Sequence, residues 1–158
     1  TGRRYLDLLA GIVTVSVGHC HPQFVERVTR QVGKLQHATT IYMHPNFPML
    51  AKKLASKMPA GLDVTYFTNS GSEANDLAIQ MSRLYTGNRD VIALRNAYHG
   101  GSPGAIGLTS HSTWKYPVGG DGHVHHAMNP DPYRSPIAGS PEEIESKSAA
   151  DISDLIRY

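Results

Sequence analysis

Val64-Thr65-Tyr66-Phe67-Thr68-Asn69-Ser70-Gly71-Ser72-Glu73-Ala74-Asn75 opens the stretch on which the fold turns. Val64 to Thr68 is a short run of β-branched and aromatic residues, the composition of a pleated, half-buried strand. Ser70 to Tyr85 follows with helical spacing, and Asp90 to Leu94 is β-rich again. Strand, helix and strand in that order predict a parallel pair joined by a right-handed crossover. The expected fold class is therefore α/β. Where the first strand meets the helix, Ser70 and Glu73 have capping-box spacing, with Glu73 closing back on Ser70. That arrangement leaves the amides of Gly71 and Ser72 free at the positive end of the helix dipole, where an anion gains roughly 0.3 to 2 kcal/mol before direct hydrogen bonds. Gly71, lacking a Cβ, lets an anion approach the backbone. The same spacing also describes a helix that is simply well capped.

The next strand leads into Asn96-Ala97-Tyr98-His99-Gly100. In a parallel β-α-β unit both strand ends open on one side, which predicts Tyr98 and His99 beside the Gly71 and Ser72 turn. An aromatic next to an anion site can hold a flat, phosphate-bearing ring. Tyr98 is equally compatible with a core aromatic, and His99 with a packing histidine.

Outward from this centre the signals thin. Arg4 to Ser16 is aliphatic and β-branched, broken by Gly11, and predicts short extended segments. Pro22 opens an amphipathic helix to about Gln36, with Phe24, Val25, Val28, Val32 and Leu35 on one face. A second helix is expected after Pro48, carrying Leu50, Leu54 and Met58, and ended by Pro59 and Gly61. A short helix is expected from Ala105 to Thr109. From His111 to Gly139 no period emerges, so a long loop is expected. Ser140-Pro141-Glu142-Glu143 starts a last helix with Ile152, Leu155 and Ile156 on its face.

The 158 residues are 40% hydrophobic and 18% charged, enough apolar material for a core. Fifteen Lys and Arg against 13 Asp and Glu are scattered without a basic run, which disfavours nucleic acid. Leu8 to Gly18 is about half the length that spans a bilayer, so no membrane segment is expected. Cys20 is the only cysteine, which rules out an internal disulfide and a four-cysteine zinc site. His19-Cys20-His21 and His123-Val124-His125-His126 contain metal-ligating types, but neighbours on an extended chain face opposite ways; no metal is expected. Lys115 lies in a polar loop without the desolvated setting a nucleophilic lysine needs.

Gly18-His19-Cys20-His21-Pro22, Asn69-Ser70-Gly71-Ser72-Glu73-Ala74-Asn75 and Tyr98-His99-Gly100 stand in the order and at the separations found in class III aminotransferases, which the chain resembles. Gly11 to Ser16, His37 to Tyr42 and Asn129-Pro130-Asp131-Pro132-Tyr133-Arg134 are similar to the second-type alanine–glyoxylate branch of that family, particularly its plant members. The resemblance implies fold type I: a large domain with a mainly parallel seven-stranded sheet between helices, plus a small domain. Residues 1–47 would then belong to the small domain and linker, and 48–158 to the first part of the large cofactor-binding domain.

The cofactor implied is pyridoxal 5′-phosphate. By matched position Ser70, Gly71 and Ser72 would receive its phosphate, Tyr98 would stack on its ring, His99 would support the pocket, and Ile12 and Val13 would line the substrate side. The implied reaction moves an amino group from alanine to glyoxylate, giving pyruvate and glycine. Other members of the class act on ornithine, acetylornithine, 4-aminobutyrate or β-aminoisobutyrate, and a noncatalytic truncated form is a further alternative. The family also implies amino-acid and oxo-acid substrates, a homodimer with shared active sites and a mitochondrial location; any targeting peptide is expected to have been removed or to lie upstream of Thr1. Its covalently cofactor-bound lysine and its aspartate partner to the pyridine nitrogen match positions beyond Tyr158, so no catalytic residue is expected among these 158.

Overall fold

A computed structural model describes residues 2–118 and 122–158. The chain divides into two compact units, the first ending at Thr65 and the second beginning at Tyr66.

The first unit carries three helical segments: α1 (Ala10–Val13), α2 (Pro22–Lys34) and α3 (Asn46–Ala55). Arg4 to Ser16 is not made of the extended segments that its composition predicts. Asp7 Oδ1 accepts from the amides of Leu9 and Ala10 at 2.9 and 3.0 Å, and those two bonds, Ala10's foremost, hold its carboxyl below the usual carboxylate range. The chain then turns left-handed through Ala10, Gly11, Ile12 and Val13, with φ from 51° to 63°. Left-handed backbone is unfavourable for β-branched residues. Helix α2 begins on Pro22 as expected, since a first-turn proline loses no intrahelical bond. Its Glu26 and Arg30 pair one turn apart at 3.2 Å. Helix α3 starts at Asn46 instead of after Pro48; the proline is accommodated because first-turn amides have no intrahelical partner.

The second unit holds α4 (Gly71–Thr86), β1 (Val91–Leu94), β2 (Val124–Ala127) and α5 (Pro141–Arg157). Two expectations are corrected here. Val64 to Thr68 is no strand: among the described residues β1 has β2 as its ladder partner instead, and β-propensity without a ladder does not make a strand. The partner of β1 instead comes from the segment expected to be all loop. β2 pairs with β1 in parallel, Val91 opposite Val124 and Leu94 opposite Ala127, with Val91 N donating to His123 O at 2.8 Å and Arg95 N to Ala127 O at 2.9 Å. The histidines of 123–126 masked the strand, because alternate imidazoles do not register as apolar. Residues 105–109 form a chain of turns, tied by Thr109 N to Ala105 O at 3.2 Å, where a short helix is expected.

The core lies in this unit, in Ala93, Ala105, Ile106, Leu108, Ala127 and Ile144. Helix α5 is locked to the sheet by Asp151, whose Oδ2 accepts from Met128 N at 2.6 Å. No helix among the described residues is long and apolar enough to cross a membrane.

At the entrance to the two strands, His123 Nδ1 and His125 Nε2 each approach Asp90 Oδ1 at 3.1 Å. Hydrogen bonds from His125 and then His123 lower the Asp90 pKa. A carboxyl lowered by folding stabilises the folded state above its unfolded pKa, and that contribution is lost as pH falls through the lowered value. Asp90→Asn should therefore lower the urea midpoint of the intact protein slightly at neutral pH, slightly because all three side chains are well exposed. The two curves should converge in acid. A gap of constant size from neutral pH to pH 2 would contradict this role for Asp90.

Candidate functional site

Helix α4 begins on Ser70, whose Oγ accepts from Glu73 N at 3.2 Å. Glu73 closes back one residue further than expected: its Oε2 accepts from Asn69 N at 2.7 Å. Gly71 and Ser72 occupy the first two helical positions, where amides lack intrahelical partners, and neither amide is bonded within the described residues. A Cβ built on Gly71 would meet nothing within 4 Å. The helix therefore presents two free donors and open space at its positive end.

The segment after β1 folds over this end. Its position is fixed by four hydrogen bonds. Asn75 Nδ2 donates to His99 O at 2.7 Å, and Gly101 N donates to Ser72 Oγ at 3.2 Å. The buried hydroxyl of Thr109 accepts from His99 N and donates to Gly100 O, both at 2.9 Å. Gly100 makes the approach possible. Its φ is +121°, and a Cβ there would collide with Ser72 Oγ and stand 2.9 Å from Ser72 Cβ and 3.0 Å from Cα. Behind it, Ser102 Oγ donates to Asp76 Oδ1 at 2.9 Å, holding the turn one helical turn further along α4.

The result is one cavity of about 350 Å³ lined by Ser70, Gly71, Ser72, Asn75, Tyr98, His99 and Gly100. All five residues expected to bind a cofactor are in it. Ile12 and Val13 lie in the other unit, exposed on the left-handed turn. Tyr98 keeps 58% of its surface exposed and meets Trp114 edge-on, ring centres 6.2 Å apart. His99 Nε2 is buried and has no hydrogen-bond partner among the described residues. An unpaired buried nitrogen is costly and calls for a partner. Free amides at a helix start, an accessible aromatic face and an unpartnered imidazole suit a flat ring bearing a phosphate. Neither Lys115 nor Lys147, the lysines of this unit, lines the cavity.

Asn75, Gly100 and Thr109 complete the site without having been assigned a role in the sequence. Asn75 had a signal, since it sits one helical turn beyond Gly71. Thr109 had none: only the tertiary fold brings it to His99.

The model of the family described as Aminotransferase class-III matches residues 1–157. Over its whole length the chain is 50% identical to the mitochondrial alanine–glyoxylate aminotransferase 2 homolog 2 of Arabidopsis thaliana, covering 32% of that protein. It is 47% identical over 139 residues to the human mitochondrial alanine–glyoxylate aminotransferase 2, 88% of this chain and 27% of that one. The fold resembles a PLP-bound aminotransferase mutant from Vibrio fluvialis, with a TM-score of 0.84 and 26% identity over 99% of this chain and 36% of the other. The chain thus spans about a third or less of the length of these curated relatives.

Proposed function

The chain belongs to the class III aminotransferases, and from that premise we propose that the whole protein moves an amino group from alanine to glyoxylate, with pyridoxal 5′-phosphate as cofactor. One observation carries the cofactor site: Gly71 and Ser72 with their free amides, the exposed Tyr98 and His99, whose buried Nε2 has no partner among the described residues, line one cavity. The choice of alanine and glyoxylate is supported by the identity to the Arabidopsis and human proteins so named.

In this proposal Gly71 and Ser72 receive the phosphate through their amides, with the α4 dipole adding to the attraction, while Ser70 holds the helix start open by capping Glu73. Tyr98 covers one face of the ring, and His99 supports the pocket through Nε2. When bound, pyridoxal phosphate supplies the carrier of the amino group and an electron sink. Ile12 and Val13 lining the substrate side, the division at residues 47 and 48, a homodimer with shared sites and a mitochondrial location are proposed from the family and the relatives' names.

Gly71→Val in the intact protein fills the space an anion needs. It should weaken cofactor retention at least tenfold, about 1.4 kcal/mol, as read by titration of the apoprotein. In the same titration Tyr98→Phe should bind nearly as well as the unchanged protein, because stacking does not need the hydroxyl, whereas Tyr98→Ala should bind more weakly. Unchanged affinity in a folded Gly71→Val protein removes the phosphate assignment, and equal affinities for the two Tyr98 variants remove the stacking one.

A further inference from the structure

A second cavity, of about 470 Å³, shares no residue with the first. Arg95 and Asn96 enter it directly after β1, and Asn129 two residues after β2. It therefore opens beyond the carboxyl ends of both parallel strands, where open α/β sheets bind ligands. His111, Asp131 and Arg134 complete its polar lining.

We propose that this cavity binds a small carboxylate monoanion, held by Arg95, Arg134 and His111. Arg95 is anchored at one nitrogen of its guanidinium: Nε donates to His126 O at 3.2 Å, and its two terminal nitrogens have no bond among the described residues. Arg134 has Nη1 3.4 Å from Asp131 Oδ2 and its guanidinium carbon 5.6 Å from the centre of the Tyr133 ring, with its side chain 78% exposed; exposed contacts of these kinds contribute little and are readily exchanged for a better acceptor. Asp131 is occupied elsewhere, its Oδ1 accepting from Tyr133 N at 3.0 Å and from Arg134 N at 3.2 Å. His111 Nδ1 is buried and has no partner among the described residues. In the tautomer that carries its proton on Nδ1, this nitrogen can donate to a carboxylate oxygen.

Charge selects the class of ligand. Two guanidinium cations against one carboxylate leave a single net positive charge, which a monoanion neutralises and a phosphate dianion exceeds. A carboxylate also offers two coplanar oxygens, the geometry a guanidinium binds bidentately. Amino acids and oxo acids both carry this group. The inference stands apart from the cofactor assignment, because no residue of the first cavity takes part.

Acetate is the probe, titrated calorimetrically into the intact, cofactor-loaded protein with inorganic phosphate in a parallel arm. Arg134→Met, a change at an exposed position, should weaken acetate binding tenfold or more, and Arg134→Lys should recover part of the loss. His111→Phe should also weaken it. The apoprotein should bind acetate with the same dependence on Arg134, which separates failure here from failure of the cofactor site. Acetate affinity unchanged in Arg134→Met overturns the proposal, whether or not His111→Phe folds. So does an Arg134-dependent affinity for phosphate above that for acetate.

Discussion

Produced as these 158 residues and supplied with pyridoxal phosphate, alanine and glyoxylate, the chain is expected to give no turnover and no stoichiometrically labelled lysine after borohydride reduction. The cavity of the second unit has donors for a phosphate and a face for a ring but no lysine in its wall. An amine that attacks a carbonyl must be held against it and kept partly desolvated, and Lys115 and Lys147 meet neither condition. The resemblance to the family puts that amine, and the acidic partner of the ring nitrogen, at positions matching residues after Tyr158. Packing points the same way. Phe24, Val28 and Val32 of α2 remain 60%, 44% and 50% exposed, an apolar stripe of the kind that needs a partner surface. The short chain should accordingly bind a hydrophobic dye and tend to aggregate. Faint yellow colour would decide nothing, since surface amines react weakly with the free cofactor. One fully labelled lysine, mapped by mass spectrometry and accompanied by turnover, would reverse the conclusion.

Gly100→Ala should be the most damaging single methyl in the second unit. Alanine at φ +121° is strained on its own account, and the added carbon would lie within 3.0 Å of Ser72 Cα and Cβ. Neither neighbour is a flexible side-chain end. The turn would have to lift from α4 or the helix start would have to move, and each relaxation opens the bonds from Gly101 N to Ser72 and from Asn75 to His99. Strain and overpacking together amount to about 2 to 4 kcal/mol. In the intact protein we expect a lower unfolding midpoint and a loss of cofactor affinity exceeding that of Gly71→Val. Gly101→Ala, where a Cβ meets nothing within 4 Å, is the control. If both alanine variants behave alike, the close approach at Gly100 is not what shapes the cavity.

The sequence made the centre of this site legible and the periphery opaque, for physical reasons that can be named. Ser70 and Glu73 announce a helix start locally, and the apolar spacing that follows is long enough to leave no ambiguity of period, so α4 and the free amides at Gly71 and Ser72 could be read directly. Pro22 and Ser140 marked two further helix starts in the same way. Tyr98 and His99 were placed beside α4 from a β-α-β unit whose first strand is not formed; they reach α4 nonetheless through the approach of Gly100 to Ser72. Strand β2 was invisible because only its pairing with β1 identifies it, and its His125 and His126 hide the alternation that a strand signal needs. Thr109 could not be found at all, since a hydroxyl bonded to residues nine and ten positions earlier leaves no local trace. The left-handed turn at Ala10 to Val13 defeated composition outright, because aliphatic residues there favour the extended backbone they do not adopt.

Helices α4 and α5 begin on the same four-residue signature, Ser70-Gly71-Ser72-Glu73 and Ser140-Pro141-Glu142-Glu143. In α5 the end is sealed by its own groups: Glu143 Oε2 accepts from Ser140 N at 2.8 Å, Pro141 has no amide hydrogen, and the Glu142 carboxylate accepts from its own backbone N–H, the main reason its pKa is lowered. In α4 glycine replaces the proline and serine the glutamate, and both amides stay available. One helix start is an anchor and the other a socket, and the two residues after the cap make the difference. Exchanging Gly71-Ser72 for Pro-Glu would leave α4 as well capped as before and give an anion nothing to bind.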